Sequence, residues 1–283
     1  MKDNPFYTKS TLNFKGKLMP LSAPKVMGIL NITPDSFYEG SRTNSLDIFL
    51  KKAENMLTDG ATFLDIGGYS SRPGATDISE KEEKQRVLPY LKELKKNFPD
   101  ALVSIDTFRA NVAKECLDLG ADLINDVSGG SLDSEMYELV SKYKVPYILM
   151  HMRGTPQNMI EKAQYSNVTQ EVIKELSEKV YDAKEAGIRD IIIDPGFGFA
   201  KRMDKNFELF GSISQLKVLE CPLLVGISRK SMIYKTLNID AEDALNGTTV
   251  LNTVALLSGT KILRVHDVKE AIQSINLVEK IIH

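Results

Sequence analysis

Eight short apolar runs, each stopping at a polar residue or glycine and each followed by helical periodicity, leave this chain few folds to choose from. The first, Val26-Met27-Gly28-Ile29-Leu30, halts at Asn31 and gives way to the turn formers Thr33, Pro34, Asp35 and Ser36. The pattern returns at 62–66, 102–105, 122–124, 146–150, 191–193, 223–225 and 261–263. Continuous apolar runs are what parallel strands buried on both faces require. Between them, apolar spacing predicts helices over 46–59, 79–98, 109–119, 134–143, 168–186, 207–216, 230–237 and 241–258, with Gly60, Gly120 and Gly187 as C-terminal stops. Ser79 to Glu82 reads as a capping box, and Asp267 with Glu270 as another for the last helix. Strict alternation argues α/β with a parallel sheet. Eight units in 283 residues predict a closed (β/α)8 TIM barrel over 25–283. The alternative is an open doubly wound sheet, which normally has fewer units and a glycine-rich first turn. Residues 1–24 are expected to be a short N-terminal extension, with a possible hairpin at 11–18 covering the barrel floor.

Composition excludes several function classes. A net charge of -2 gives no field for nucleic acid or an anionic membrane, so any bound anion must meet a local basic cluster. No apolar run approaches the roughly 18 residues of a membrane span, and the N-terminal residues, with no apolar stretch after their charges, are not expected to be a signal peptide. Cys116 and Cys221 sit in apolar segments far from any metal-spaced partner and read as buried, reduced thiols. The expectation is a cytoplasmic protein with small-molecule partners.

In a barrel the C-terminal ends of all strands surround one mouth, where active sites are built. This chain puts Asn31, Asp65, Asp106, Asn125, His151, Asp194, Gly226 and Arg264 at those ends. A single Asp after a strand is ordinarily a turn former or cap, but seven polar groups in eight loops exceed that need. Asp106, Asn125 and Asp194 offer acceptors that, with no cation among them, would repel one another. They suit a flat heterocycle with an amino-amidine edge, and Lys230 can reach a ring carbonyl or nitrogen. Arg72, Arg264 and His266 form a basic set suited to a diphosphate. Asn31 is a neutral oxygen ligand able to hold Mg²⁺ that also touches phosphate. Residues 31–40 and 67–74 read as lids, and 194–199 as a third loop with aromatics. Residues 241–258, with Ala244, Leu245, Val250, Leu251, Val254 and Leu257, pack either the barrel wall or an interface, and the wall is the expectation.

The segments MGILNITPDSF, DIGGYSSRPGA, SIDT, INDVSGG, DPGFGFAK, GISRKS and RVHDV together resemble the dihydropteroate synthases of folate biosynthesis, in order and over nearly the whole chain. The resemblance implies a (β/α)8 barrel, a homodimer and use of Mg²⁺. It implies the joining of 4-aminobenzoate to (7,8-dihydropterin-6-yl)methyl diphosphate, and sensitivity to sulfonamides. By motif, Asp65, Asp106, Asn125, Asp194 and Lys230 correspond to the pterin pocket. Asn31, Arg264 and His266 correspond to the diphosphate site, with Asn31 also the metal contact. Phe37, Ser71, Arg72, Pro73, Phe199, Lys230 and Ser231 correspond to the aminobenzoate side and its loops. Asp35 and Lys230 are the expected catalytic residues, with Asp35 stabilising positive charge on the pterin methylene. The family often has Glu at Tyr69, Thr at Ser71 and Gly at Ala200. Two rival readings are a methyltransferase of the same barrel class and a non-catalytic pterin-binding barrel.

Overall fold

The structure is a computed structural model that describes residues 9–32, 42–70 and 76–282. Two antiparallel strands, β1 (Thr11–Phe14) and β2 (Lys17–Pro20), come first. They are joined at Lys15 and Gly16, which both take positive φ, 51° and 92°. Such a turn matches strand twist and needs a residue like Gly16. Asn13 Oδ1 accepts the Gly16 N–H at 2.7 Å.

The barrel follows as strands alternating with helices, two helices separating the last pair of strands. β3 (Lys25–Asn31), α1 (Arg42–Thr58), β4 (Phe63–Gly67) and α2 (Glu80–Asn97) open it. β5 (Leu102–Asp106), α3 (Ala110–Asp118), β6 (Leu123–Asp126) and α4 (Met136–Tyr143) continue it. Then come β7 (Tyr147–Met150), α5 (Val168–Glu185), β8 (Ile191–Asp194) and α6 (Met203–Gly211). β9 (Leu224–Val225), α7 (Ser231–Leu237), α8 (Leu245–Leu257), β10 (Ile262–Val265) and α9 (Val268–Ile282) complete it. The parallel sheet runs β8-β7-β6-β5-β4-β3-β10-β9. A parallel bridge between Ile193 and Leu223 joins its two ends, with Ile193 N–H donating to the Pro222 carbonyl at 2.9 Å.

Local chemistry sets most boundaries. Ser79 Oγ caps α2 by accepting the Glu82 N–H, and Asn167 caps α5 by accepting that of Gln170. Gly60, Gly120 and Gly187 take positive φ just past their helices. The helix expected at 207–216 begins earlier, at Met203, and stops at Gly211; Ile213–Leu219 continues as a 3-10 helix. Likewise 241–258 divides into a 3-10 turn, Ala241–Asp243, and α8. The Asp267 carboxylate is gripped on both oxygens by Arg229, at 2.9 and 2.8 Å.

The strands alternate although their sequences read as continuous apolar runs. One set of side chains, including Val26, Leu64, Val103, Ile124 and Ile193, packs outward against the helices. The other set, Met27, Phe63, Leu123, Ile148, Ile192, Leu224 and Ile262, points inward and fills the floor with Leu12, Phe14 and Leu21 of the N-terminal hairpin. Phe14 meets Phe63 with ring centroids 5.6 Å apart. On α8 the expectation of a packed wall fails in part, because Val250, Val254 and Leu257 are exposed while Thr248, Asn252 and Ala255 are buried. Among the described residues, no helix is long and apolar enough to cross a membrane. Both cysteines are free and buried.

Candidate active site

Because inward positions recur every two residues, the layer above the apolar floor is fixed by the strands themselves. It is polar. Asp65 stands two residues beyond Phe63, Asn125 beyond Leu123, Asp194 beyond Ile192 and Arg264 beyond Ile262. On β5, Ser104 and then Asp106 follow Leu102. The register sets Asp65 beside Ser104, and Asp106 beside both Gly67 and Asn125. Gly67 holds open the gap between Asn31 and Asp106. A Cβ placed there would stand 3.3 Å from the Asp106 Cβ and 3.5 Å from Asn31 Oδ1.

Sequence reasoning leaves no cation among the carboxylates and gives Arg264 to a separate basic set for a diphosphate. The geometry corrects this. Arg264 is an inward residue, and its guanidinium lies inside the acceptor ring. Nε donates to Asp65 Oδ2 and Nη2 to Asp106 Oδ2, both at 2.7 Å. Asn125 Nδ2 donates to the same Asp65 oxygen at 3.0 Å. Carboxylates this close need a cation between them, because ionised carboxyl groups out of water repel strongly.

The ring is nonetheless rich in unfilled acceptors. Asp65 Oδ1 is buried without a hydrogen-bond partner among the described residues. Asp106 Oδ1 and Asp194 Oδ2 receive no donor from the described residues, whereas Asp194 Oδ1 takes the Gly196 N–H at 2.7 Å. Burial pushes the Asp106 carboxyl up to about 7, against the pull of Arg264 and with Asp65 adding to the rise. Burial also raises Asp194, opposed mainly by Lys230. Desolvation lowers Lys230 to about 8, with Asp194 holding it up. The site thus keeps charges that are individually costly and mutually compensated.

Lys230 is the last residue before α7. Its Nζ donates to the Phe197 carbonyl and lies 4.8 Å from the centre of the Phe199 ring. Ser231 is the first residue of that helix. Phe199 is half-buried beside this cation, while Phe197 is wholly buried and packs edge-on against Phe210, so only Phe199 is placed to meet a ligand. His266 follows β10. Its Nδ1 lies 3.0 Å from Ser228 Oγ, and burial, aided by Arg264, lowers its pKa to about 4, so it acts as a neutral group. Asp35, Phe37, Ser71, Arg72 and Pro73 lie outside the described residues.

Three features leave only faint traces in the sequence. Tyr69, in place of an acidic residue, accepts a hydrogen bond from Gln157 Nε2 at 2.9 Å and packs edge-on against Phe108. This links the loops after β4 and β7. Ala200 takes φ 47° and pays for that left-handed turn with strain of about 1–2 kcal/mol, while its methyl joins Val127, Met150, Met152 and Met159. Lys201 is buried behind the 194–200 loop, and its place in the DPGFGFAK segment is the only signal.

As for metals, no group of three or more His, Cys, Asp or Glu among the described residues is arranged to hold one. Asn31 Oδ1 beside Asp106 is a sparse oxygen donor set. That suits an ion such as Mg²⁺ that arrives with phosphate oxygens and keeps its waters.

Residues 27–266 match the family described as pterin binding enzyme. The dihydropteroate synthase of Escherichia coli K12 is 40% identical over 267 residues, covering 94% of each chain. The crystal structure of Yersinia pestis dihydropteroate synthase with a sulfonamide drug complex superposes with TM-score 0.89 at 40% identity, over 96% of this chain and 98% of that one. The Xanthomonas albilineans enzyme with 4-aminobenzoic acid gives TM-score 0.89 at 34% identity, over 97% and 98%.

Proposed function

This chain belongs to the pterin-binding enzyme family, among the dihydropteroate synthases, and we propose that it condenses 4-aminobenzoate with (7,8-dihydropterin-6-yl)methyl diphosphate to give 7,8-dihydropteroate and diphosphate. One observation carries the reading. Two carboxylate oxygens at the strand ends, Asp106 Oδ1 and Asp194 Oδ2, receive no donor from the described residues, beside the cations Arg264 and Lys230, and the buried Asp65 Oδ1 likewise has no partner among them. A pterin's amino and ring N–H groups supply donors of the kind these oxygens lack, and charge-assisted bonds of this kind are the strong ones.

In the transfer, the amine nitrogen forms a bond to the pterin methylene. The bond from that carbon to the diphosphate oxygen breaks, the leaving group takes the electron pair, and the proton lost by the amine passes to the released diphosphate or to solvent. Asp65, Asp106, Asn125 and Asp194 orient the ring and favour any positive charge spread from the methylene into it. Arg264 bridges Asp65 and Asp106 and offsets one of their charges before the ligand arrives. Its Nη1, which has no protein acceptor among the described residues, is the guanidinium group available to the leaving diphosphate. His266 lies beside it as a neutral hydrogen-bonding group. Lys230 and Phe199 form the aminobenzoate side, with Ser231 at the start of α7. Mg²⁺, held by Asn31 and the substrate's own oxygens, would neutralise diphosphate charge. Asp35 is assigned to the cationic methylene, and Phe37, Ser71, Arg72 and Pro73 to the loops that exclude water, since hydrolysis competes with the amine.

The chain also acts as a homodimer in this proposal. The exposed apolar side chains Val250, Val254 and Leu257 on α8 lie next to α9, which exposes Leu277 and Ile281, and an isolated monomer gains nothing from such a patch. Sedimentation showing a monomer at micromolar concentration would remove this element.

The decisive assay mixes the protein with Mg²⁺, the pterin diphosphate and 4-aminobenzoate and measures diphosphate. Release that depends on aminobenzoate is expected. Absence of release, or release indifferent to aminobenzoate, overturns the assignment.

A further inference from the structure

The Lys201 ammonium is buried, yet it is not part of the acceptor ring. Its three protons meet three acceptors: the Gly196 carbonyl at 3.0 Å, the Phe199 carbonyl at 3.1 Å and His151 Nδ1 at 2.9 Å. Burial lowers Lys201 to about 7, with Asp194 holding it up; below that pH it is an ammonium, which can only donate, so His151 Nδ1 accepts. The imidazole is then neutral with its proton on Nε2, which donates to Glu175 Oε2 at 3.0 Å. Glu175 is itself held by Arg153 Nε at 2.9 Å, and Arg153 reaches Glu171 at 2.8 Å. A chain of alternating charge thus runs from the half-exposed α5 surface to the back of the mouth, with a wholly buried histidine as its neutral link.

What Lys201 grips is the loop that carries the site. Gly196 donates its N–H to Asp194 Oδ1 and gives its carbonyl to Lys201. It sits so close to β7 that a Cβ would fall 2.1 Å from the His151 carbonyl oxygen, with φ at 66°, so no other residue fits. Phe199, the next carbonyl held, presents its ring to Lys230. Asn206 ties the intervening Gly198 N–H at 2.7 Å from the α6 side. The loop is therefore laced between two lysines, Lys230 on its mouth side and Lys201 behind it.

We propose that Lys201, held by neutral His151 and Glu175, is a positioning residue for the transfer reaction, fixing the 194–200 loop so that Phe199 and Lys230 meet the aminobenzoate while Asp194 keeps its aim. This rests on the function proposed above. Burial first, and then the facing Lys201 cation, hold His151 down at about 3, with Glu175 opposing and Lys179 reinforcing, so the ring's titration responds to the charge of Lys201.

The test pairs kinetics with that signature. Lys201→Met is expected to raise the aminobenzoate KM about tenfold, the scale of one lost charge-assisted hydrogen bond to the Phe199 carbonyl, and to change pterin affinity less. The exposed Lys174→Met is the control. In the same variant the His151 titration should move up part of the way, because the adjacent cation is gone and Glu175 remains while the burial that dominates the depression stays. Unchanged KM values in a folded variant overturn the proposal. So does a uniform fall in activity that matches lost folded protein, the mark of a purely structural role. Should the variant not fold, ¹H–¹⁵N correlation of the wild-type imidazoles decides, and with only three histidines in the chain the signals are separable. A proton on Nδ1, or a charged His151 near pH 6, sinks the proposal whether or not the enzyme turns over the substrates named above.

Discussion

Replacing Asp194 with Asn tests the acceptor ring at its most constrained member. Oδ1 of this side chain is already committed to the Gly196 N–H at 2.7 Å, and Oδ2 is left for the ligand. Asparagine has two ways to sit there. With its oxygen kept on Gly196, its NH₂ faces a ligand edge made of donors, so one charge-assisted bond becomes a donor facing donors. With the amide flipped, the NH₂ meets the Gly196 N–H instead, and Gly196 cannot move because the His151 carbonyl lies behind it. Neither rotamer escapes. A lost charge-assisted bond costs about 1.5–3 kcal/mol, and an unsatisfied buried donor adds roughly 1–3 kcal/mol. The sum, taken near its lower end at about 3 kcal/mol, corresponds to roughly a hundredfold weaker binding. Calorimetric titration with a pterin lacking phosphate reads this without any contribution from the diphosphate site. Circular dichroism and a thermal melt establish that the nearly isosteric variant is folded. An affinity within about threefold of wild type in a folded variant would show that Asp194 does not face the pterin.

Arg264→Ala should weaken binding of the diphosphate-bearing pterin more than of the phosphate-free one, and equal losses would count against Nη1 serving the leaving group. The same variant strands Asp65 and Asp106 and should lose roughly 3–5 kcal/mol of stability. Asp106 already titrates near 7 when folded, above its ordinary value, so its protonated form is the one folding favours. The deficit should therefore be smallest in acid and grow as pH rises through about 7; melts that show no such trend refute it. Phe14→Ala, at the opposite end of the barrel, should cost about 3–5 kcal/mol while leaving kcat per folded molecule unchanged, as a melt paired with active-site titration would reveal. Finally, Lys230 loses its proton near 8 in the free protein, so kcat/KM for aminobenzoate should fall above that pH, and Lys230→Arg should carry the fall to higher pH.

The barrel is legible because its evidence is local and repeated. Each strand announces itself as an apolar run, each helix by spacing and by a terminal signal such as Ser79 or Gly120, and these need no knowledge of partners. Where the signals are weak, boundaries shift. Gly211 stops α6, while the spacing of Ile213 and Leu216 alone suggests continuation; the chain there reads ISQL and winds as a 3-10 helix. The outer face of α8 shows a different limit. Val250, Val254 and Leu257 have the composition of a core, and only packing reveals that they face away from it.

The order of elements and the set of polar residues at the strand ends are written within a few neighbouring positions, so the linear chain is enough to establish both. Which of those residues touch is not written there. Arg264 and Asp65 are 199 positions apart, yet Nε and Oδ2 lie 2.7 Å from each other because barrel closure sets β10 beside β3, and β3 beside β4. Period-two alternation then sends both side chains inward, which a continuous apolar run conceals. Lys201 is the same lesson in a loop: two of its acceptors lie in the 194–200 segment, the third is a histidine at the end of β7, and its charge is balanced through that ring by a glutamate on α5. Charge compensation in a water-poor interior is a property of pairs and triples in space, so only the folded chain could decide it.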